Sequence, residues 1–80
     1  MEIQNMLFSV LNDIKSNLPT EKHGWIREYI EVGEFGIALE VLVELINEYK
    51  IPVSTEGRNL LIQCGDQMRM DVVRLLLAGC

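Results

Sequence analysis

Cysteine, histidine, proline and positive charge are all scarce in this 80-residue sequence, and each shortage closes off a class of answer. The two cysteines, Cys64 and Cys80, give neither a disulfide framework nor the paired spacing of a metal site, which suits a reducing cytoplasm. His23 is the only histidine, with no cysteine or serine motif around it. Beside Gly24 at a helix start it is expected to be solvated or bonded to backbone rather than to act as a catalytic base. Phosphate-binding loops, zinc spacing and paired acid/base motifs are missing as well, so no enzyme activity, cofactor or metal is expected. Seven Lys and Arg stand against twelve Asp and Glu, for a net charge of -5. That balance repels nucleic acid and favours a basic protein as partner. The opening stretch MEIQNMLFSVLNDIKSN lacks the basic start and unbroken apolar run of a signal peptide, and no run reaches the roughly eighteen apolar residues of a membrane span. The expectation is a chain neither exported by that route nor inserted in a membrane.

What is abundant is apolar residues at helical spacing. Hydrophobic residues make up 49% of the chain, no repeat or low-complexity tract interrupts it, and residues 1–80 read as one helical domain. Ile3, Met6, Leu7, Val10, Leu11, Ile14 and Leu18 recur at three and four, predicting a first helix from about residue 2 to 17, closed by Pro19, with Phe8 as a flank of the core. Thr20 is placed to cap a second helix, whose Trp25, Ile26, Tyr29 and Ile30 share one face and whose first turn Gly24 weakens. Gly33 supplies the left-handed residue that ends it, and Gly36 falls in the first turn of the next helix. With only Glu34 and Phe35 between these glycines, the second and third helices must form a tight hairpin with Phe35 at its corner. After the third helix, Ile51-Pro52-Val53 runs extended and Ser54 or Thr55 caps a fourth. Its apolar side, Gly57, Leu60, Leu61, Cys64, Gly65 and Met68, is rich in small residues and should approach another helix closely; Cys64 there is a buried, inert thiol. Asp71 can cap a last short helix, VVRLLLAG, which either docks into the core or covers another chain. The fold class is all-α, a compact bundle of four to five short antiparallel helices.

The third helix, Phe35 to Tyr49, carries the clearest functional signal. Ala38, Val41, Leu42, Leu45, Ile46 and Tyr49 fall on one broad face with Leu39 at its edge. The narrow remaining sector holds Glu40, Glu44 and Glu48 at successive i, i+4 positions beside Asn47, and no Lys or Arg lies three or four residues from any of them. Each like-charge pair costs the isolated helix about 0.2–0.5 kcal/mol, and Glu48 also faces the negative end of the helix dipole. The row is therefore either a solvated face, neutralised in part by Arg58 or Arg69 from elsewhere, or a surface kept acidic to meet cations on a partner. Its three carboxylates lie along a line of about 12 Å, which is poor geometry for one metal ion. Glu28, Glu31 and Glu34 extend the negative surface toward Phe35, an aromatic placed to anchor a partner at the edge of the patch.

The run Gly33-Glu34-Phe35-Gly36-Ile37-Ala38-Leu39-Glu40, followed after a helix by Tyr49-Lys50-Ile51-Pro52-Val53-Ser54, resembles the G-E-W/F-G-L-A-L-E … Y-x-I-P-I-S pattern of MafI-type immunity proteins. These are small helical proteins encoded with polymorphic toxins of the Maf and contact-dependent inhibition systems. The resemblance covers roughly residues 24–70 and does not extend to the first helix. Phe35 stands where tryptophan is more usual, and the very apolar LLLAGC departs from the family's terminal helix. The resemblance implies a cytoplasmic monomer that neutralises one cognate toxin domain by a one-to-one complex, without chemistry of its own. Such toxins are often nucleases, including tRNA-cleaving EndoU-like ribonucleases, whose basic active sites an acidic surface would cover. In that reading Glu40, Glu44, Glu48, Glu31, Glu34 and Phe35 meet the toxin, while Gly33, Gly36, Ala38 and Pro52 serve turns and packing. A reading from another class is a helical adaptor that self-associates through its apolar last helix.

Overall fold

A computed structural model describes residues 2–71 and contains four α-helices: α1 (Ile3–Asp13), α2 (Thr20–Glu31), α3 (Phe35–Glu48) and α4 (Thr55–Gln67). Among the described residues there is no strand, and none of the helices is long and apolar enough to cross a membrane. The fifth helix expected over VVRLLLAG lies outside the described residues. The radius of gyration, 11.1 Å, is close to the roughly 12 Å of a tightly folded chain of this length.

The apolar stripe of α1 is the inner wall of the bundle: Met6, Leu7, Val10, Leu11 and Ile14 are all 2% exposed or less. α1 and α3 each pack against every other helix, with α2 and α4 added on separate sides of that pair. The most extensive pairing is α1 with α4, and the buried residues of α4 are Gly57, Leu61, Cys64 and Gly65. Phe8 is a partly buried flank of the core, as expected.

Helix α1 ends earlier than its stripe suggests. α-Helical geometry stops at Asp13, and Lys15–Asn17 form a tighter 3-10 turn in which Asn17 N–H donates to Ile14 O at 2.9 Å. Leu18 stays buried because this turn still delivers it to the core before Pro19. The start of α2 also differs. Thr20 is not its cap; Pro19, already extended at ψ 141, takes that position, and the first helical bond runs from His23 N–H to Pro19 O. Proline brings no side-chain acceptor, so this end has no side-chain cap.

Helices α2, α3 and α4 end in the same way. Glu34 N–H reaches back to Tyr29 O, Ile51 N–H to Ile46 O and Met70 N–H to Gly65 O, each beside a shorter-range bond from the preceding residue. This is the six-to-one turn that satisfies orphan carbonyls, and it needs a left-handed residue at its centre. Gly33, Lys50 and Arg69 fill that position with φ of 84°, 50° and 57°, so only one of the three turns uses a glycine. Phe35, placed at the corner by the spacing of the glycines, is instead the first residue of α3 and packs half-buried on the core. The corner itself is Val32-Gly33-Glu34.

The start of α4 is tied to the end of α1. Gly57 N–H donates to Ser54 Oγ at 3.0 Å, and Ser54 Oγ donates to Asp13 Oδ2 at 3.2 Å. Ser54 is thus the cap, and Asp13 lends its negative charge to the positive end of the α4 dipole. A Cβ at Gly57 would sit 3.0 Å from Val53 Cγ1 and 3.2 Å from Ser54 Oγ, so a side chain there would press on Val53 and on the cap.

Two glycines that both have open space around them separate backbone conformation from packing. Gly24 is helical with nothing close to where a methyl group would project, so Gly24→Ala is expected to stabilise the protein by about 0.5–1 kcal/mol. Gly33 is equally uncrowded but left-handed, so Gly33→Ala should destabilise by about 1 kcal/mol. Urea unfolding followed by the helical circular dichroism signal checks both; equal signs for the pair would refute this account.

Candidate functional site

The α2–α3 hairpin is where apolar surface is left uncovered. Trp25, Val32, Ile37 and Tyr49, all more than 40% exposed, are the large hydrophobic side chains most open to solvent among the described residues, and every one lies in or at the end of this hairpin. Neither α1 nor α4 contributes one.

The buried arc of α3 explains half of this pattern. Ala38, Leu39, Leu42, Val43, Leu45 and Ile46 are its buried residues. The arc is therefore turned toward Leu39 and Val43 relative to the face expected from spacing, which omitted Val43 and included Val41 and Tyr49. Val41 is left half-buried and Tyr49 exposed. On α2 the expected face splits in the same way: Ile26 and Ile30 are fully buried, Tyr29 is half-buried and Trp25 is 47% exposed.

Between these two displaced edges runs an open groove of about 500 Å³. Trp25, Tyr29, Val41 and Leu45 form its apolar lining, with Glu44 and Glu48 on the α3 side and Lys22 on the α2 side. The Lys22 ammonium stands over the Trp25 ring, 4.1 Å from its centroid. This is within the range of a cation–π attraction and follows from their i, i+3 spacing.

Glu40, Glu44 and Glu48 are all exposed, and none has an ion-pair partner among the described residues. Arg58 and Arg69, which could have neutralised them, do not reach them. Glu31 behaves differently. Its Oε1 accepts a hydrogen bond from Arg27 Nε at 3.0 Å, and it lines the opposite flank of α2, in a groove of about 450 Å³ shared with Lys15, His23 and Arg27. The structure therefore separates Glu31 from the row on α3. Glu34 is exposed at the hairpin corner, and Phe35 beside it is turned largely into the core, so the outstanding exposed aromatic of this surface is Trp25.

The remaining chemically active side chains stand apart from one another. Cys64 is fully buried, and burial pushes its thiol up to about 11. His23 is held below the usual imidazole range, first by partial burial and then by the nearby charges of Lys15 and Arg27. Among the described residues no three His, Cys, Asp or Glu side chains converge as metal ligands.

No family model matches the chain, and neither the curated proteins nor the solved structures give a match.

The groove residues Lys22, Trp25, Tyr29 and Val41 were not singled out by sequence. A signal existed in the spacing 22, 25 and 29, which is one strip of a helix. It was masked because Trp25 and Tyr29 also neighbour Ile26 and Ile30 on the wheel. The Arg27–Glu31 pair was legible too, since the two stand four residues apart.

Two solution properties follow from Cys64 and His23. In a Cys80→Ser variant, Cys64 should resist a thiol reagent at pH 8 in the native protein and react at once in denaturant; prompt native labelling would contradict the described burial. For His23, a depressed folded-state pKa means that the unfolded chain takes up the proton more readily. Its contribution is complete above about pH 6.5 and is lost as the pH falls below that value. His23→Gln should accordingly flatten the decline in stability between pH 6.5 and 5, read from urea unfolding at several pH values.

Proposed function

We propose that the chain is a binding protein whose α2–α3 hairpin docks on a basic partner, and that the partner is a toxin domain which it neutralises as an immunity protein. The observation that carries the docking surface is one of coincidence. The row Glu40, Glu44 and Glu48, without an ion pair among the described residues, and the four exposed hydrophobic side chains belong to the same helical hairpin. An apolar centre with a charged border has the anatomy of a protein interface, in which desolvated aromatics anchor and charge selects. Carboxylates without an ion-pair partner among the described residues lose least when a partner's cations arrive, and they accelerate encounter by steering.

The toxin, as opposed to some other basic protein, comes from the resemblance of Gly33–Glu40 and Tyr49–Ser54 to MafI-type immunity proteins. In this reading the chain works in the cytoplasm as a monomer, forms a one-to-one complex and needs no cofactor. The toxin is a ribonuclease or a related nuclease, and the carboxylates of α3 stand where substrate phosphates would lie. Glu31, already held by Arg27, plays at most a peripheral part. Glu34 is exposed at the corner of the same hairpin and belongs to its border, whereas Phe35, the first residue of α3, is half-buried on the core and contributes at most its edge. Self-association through the apolar last helix is the competing reading; a stable homodimer in sedimentation that ignores the toxin would select it.

Glu40→Lys combined with Glu44→Lys should keep the helical signal while weakening binding to the toxin domain encoded beside this chain by about tenfold or more at low salt. The difference should shrink at high salt, because exposed charges are screened. Unchanged affinity in the folded double variant would remove this surface from the interface. An RNA and DNA cleavage assay of the toxin, with and without the protein, identifies the activity being blocked.

A further inference from the structure

We infer that the α2–α3 groove is a slot for one cationic side chain of the partner, an arginine by preference, and that Lys22 holds its place in the free protein. The inference deepens the docking reading above and rests on it, but its own evidence is local. Trp25 is the chain's only tryptophan, and it is left nearly half exposed beside a half-buried tyrosine instead of being folded into the core. Over its ring stands a cation, the Lys22 ammonium at 4.1 Å. The ring is thus already a cation-binding platform, occupied by a side chain of the same molecule.

Charge in the groove is not balanced by that occupant. Glu44 and Glu48 border it with Lys22 as the one cation among the described residues, and Lys22 is within ion-pair distance of neither. One negative charge remains in excess, next to an apolar lining of Trp25, Tyr29, Val41 and Leu45. A ligand that complements this has a flat, weakly hydrated cation for the ring and donors for a carboxylate. Guanidinium meets both requirements, since it stacks on aromatic faces and bonds carboxylates in a bidentate fork, whereas ammonium is strongly hydrated and acts as a point charge. The groove volume, about 500 Å³, is ample for one such side chain. An arriving arginine displaces Lys22 from the ring, and Lys22, half-buried at the open edge of the groove, swings to water at little cost.

This arrangement makes an unusual prediction: removing Lys22 should improve binding. The probe is N-acetyl-arginine methylamide at low salt, with the neutral citrulline analogue as its isostere, and the readout is the emission of Trp25, which reports from the slot itself. The arginine probe should shift that emission saturably and the citrulline probe should not. Lys22→Gln should tighten the arginine probe by about two- to fivefold, the worth of one exposed cation–π contact. Lys15→Gln, which removes the same charge from the other flank of α2, should change it by less. Glu44→Gln with Glu48→Gln should abolish the effect while the helical signal persists. Equal responses to both probes, or a Lys22→Gln variant that binds no tighter than the Lys15→Gln control, would overturn the slot. If toxin binding then still depended on Glu40 and Glu44, the docking face would stand without it. Saturable, Lys22-sensitive arginine binding in a protein whose toxin affinity ignores Glu40 and Glu44 would support the slot and sink the docking face.

Discussion

The rotation of α3 about its own axis decides what this molecule shows to solvent. Apolar residues occupy most of that helix's circumference, so several faces could in principle have been buried. In the fold, Leu39, Leu42, Val43 and Ile46 go inward, and Glu40, Glu44 and Glu48 are left outside on the opposite arc. Turning the helix back to bury Val41 and Tyr49 would expose Leu39 and Val43, now 0% and 2% exposed. Each such side chain is worth about 1.5–3 kcal/mol of burial, more than the roughly 1 kcal/mol or less that repulsion along the row costs this helix in any orientation. The acidic surface is therefore a consequence of the best packing and also a cost that packing easily absorbs.

The neighbour across the groove is fixed by separate means. A left-handed Gly33 reverses the chain within the few residues between α2 and α3 and sets the two helices side by side. Ile26 and Ile30 then lock α2 to the core, which leaves the next strip of the same helix, Lys22, Trp25 and Tyr29, facing the flank of α3. At the other side of the bundle, the Asp13–Ser54–Gly57 relay joins the end of α1 to the start of α4. Among the described residues, the exposed large hydrophobic side chains all belong to the half built from α2 and α3, and none to the half that pairs α1 with α4.

Most of the architecture was legible in the amino-acid sequence because it depends on local punctuation. The α1 stripe, Gly33 as helix stop, Ser54 as cap and the small-residue face of α4 each follow from one or two residues whose physics leaves little choice. The errors arose where a decision belonged to tertiary packing. Periodicity locates an apolar stripe, but for an arc as broad as that of α3 it cannot give the azimuth, which is why Val43 was missed and Tyr49 misplaced. Thr20 lost the cap position to Pro19 because an extended proline backbone can start a helix without a side-chain acceptor. For the site, the isolation of Glu40, Glu44 and Glu48 from local cations was readable, whereas Lys22 lies eighteen or more residues from any of them and only the fold brings it to the groove with Glu44 and Glu48. Trp25 was hidden by its isoleucine neighbour, since sequence alone does not say how wide an arc the next helix covers.

The division of α3 into an inner and an outer arc also bears on how such a protein can change its allegiance. Positions 40, 44 and 48 are exposed and form no ion pair among the described residues, and substitutions at exposed sites usually alter stability by no more than about 0.5 kcal/mol. A lineage could rewrite the outer arc repeatedly, trading one recognition code for another, without reopening the problem of folding. One residue away along the chain, at Val43 or Leu39, the same freedom vanishes.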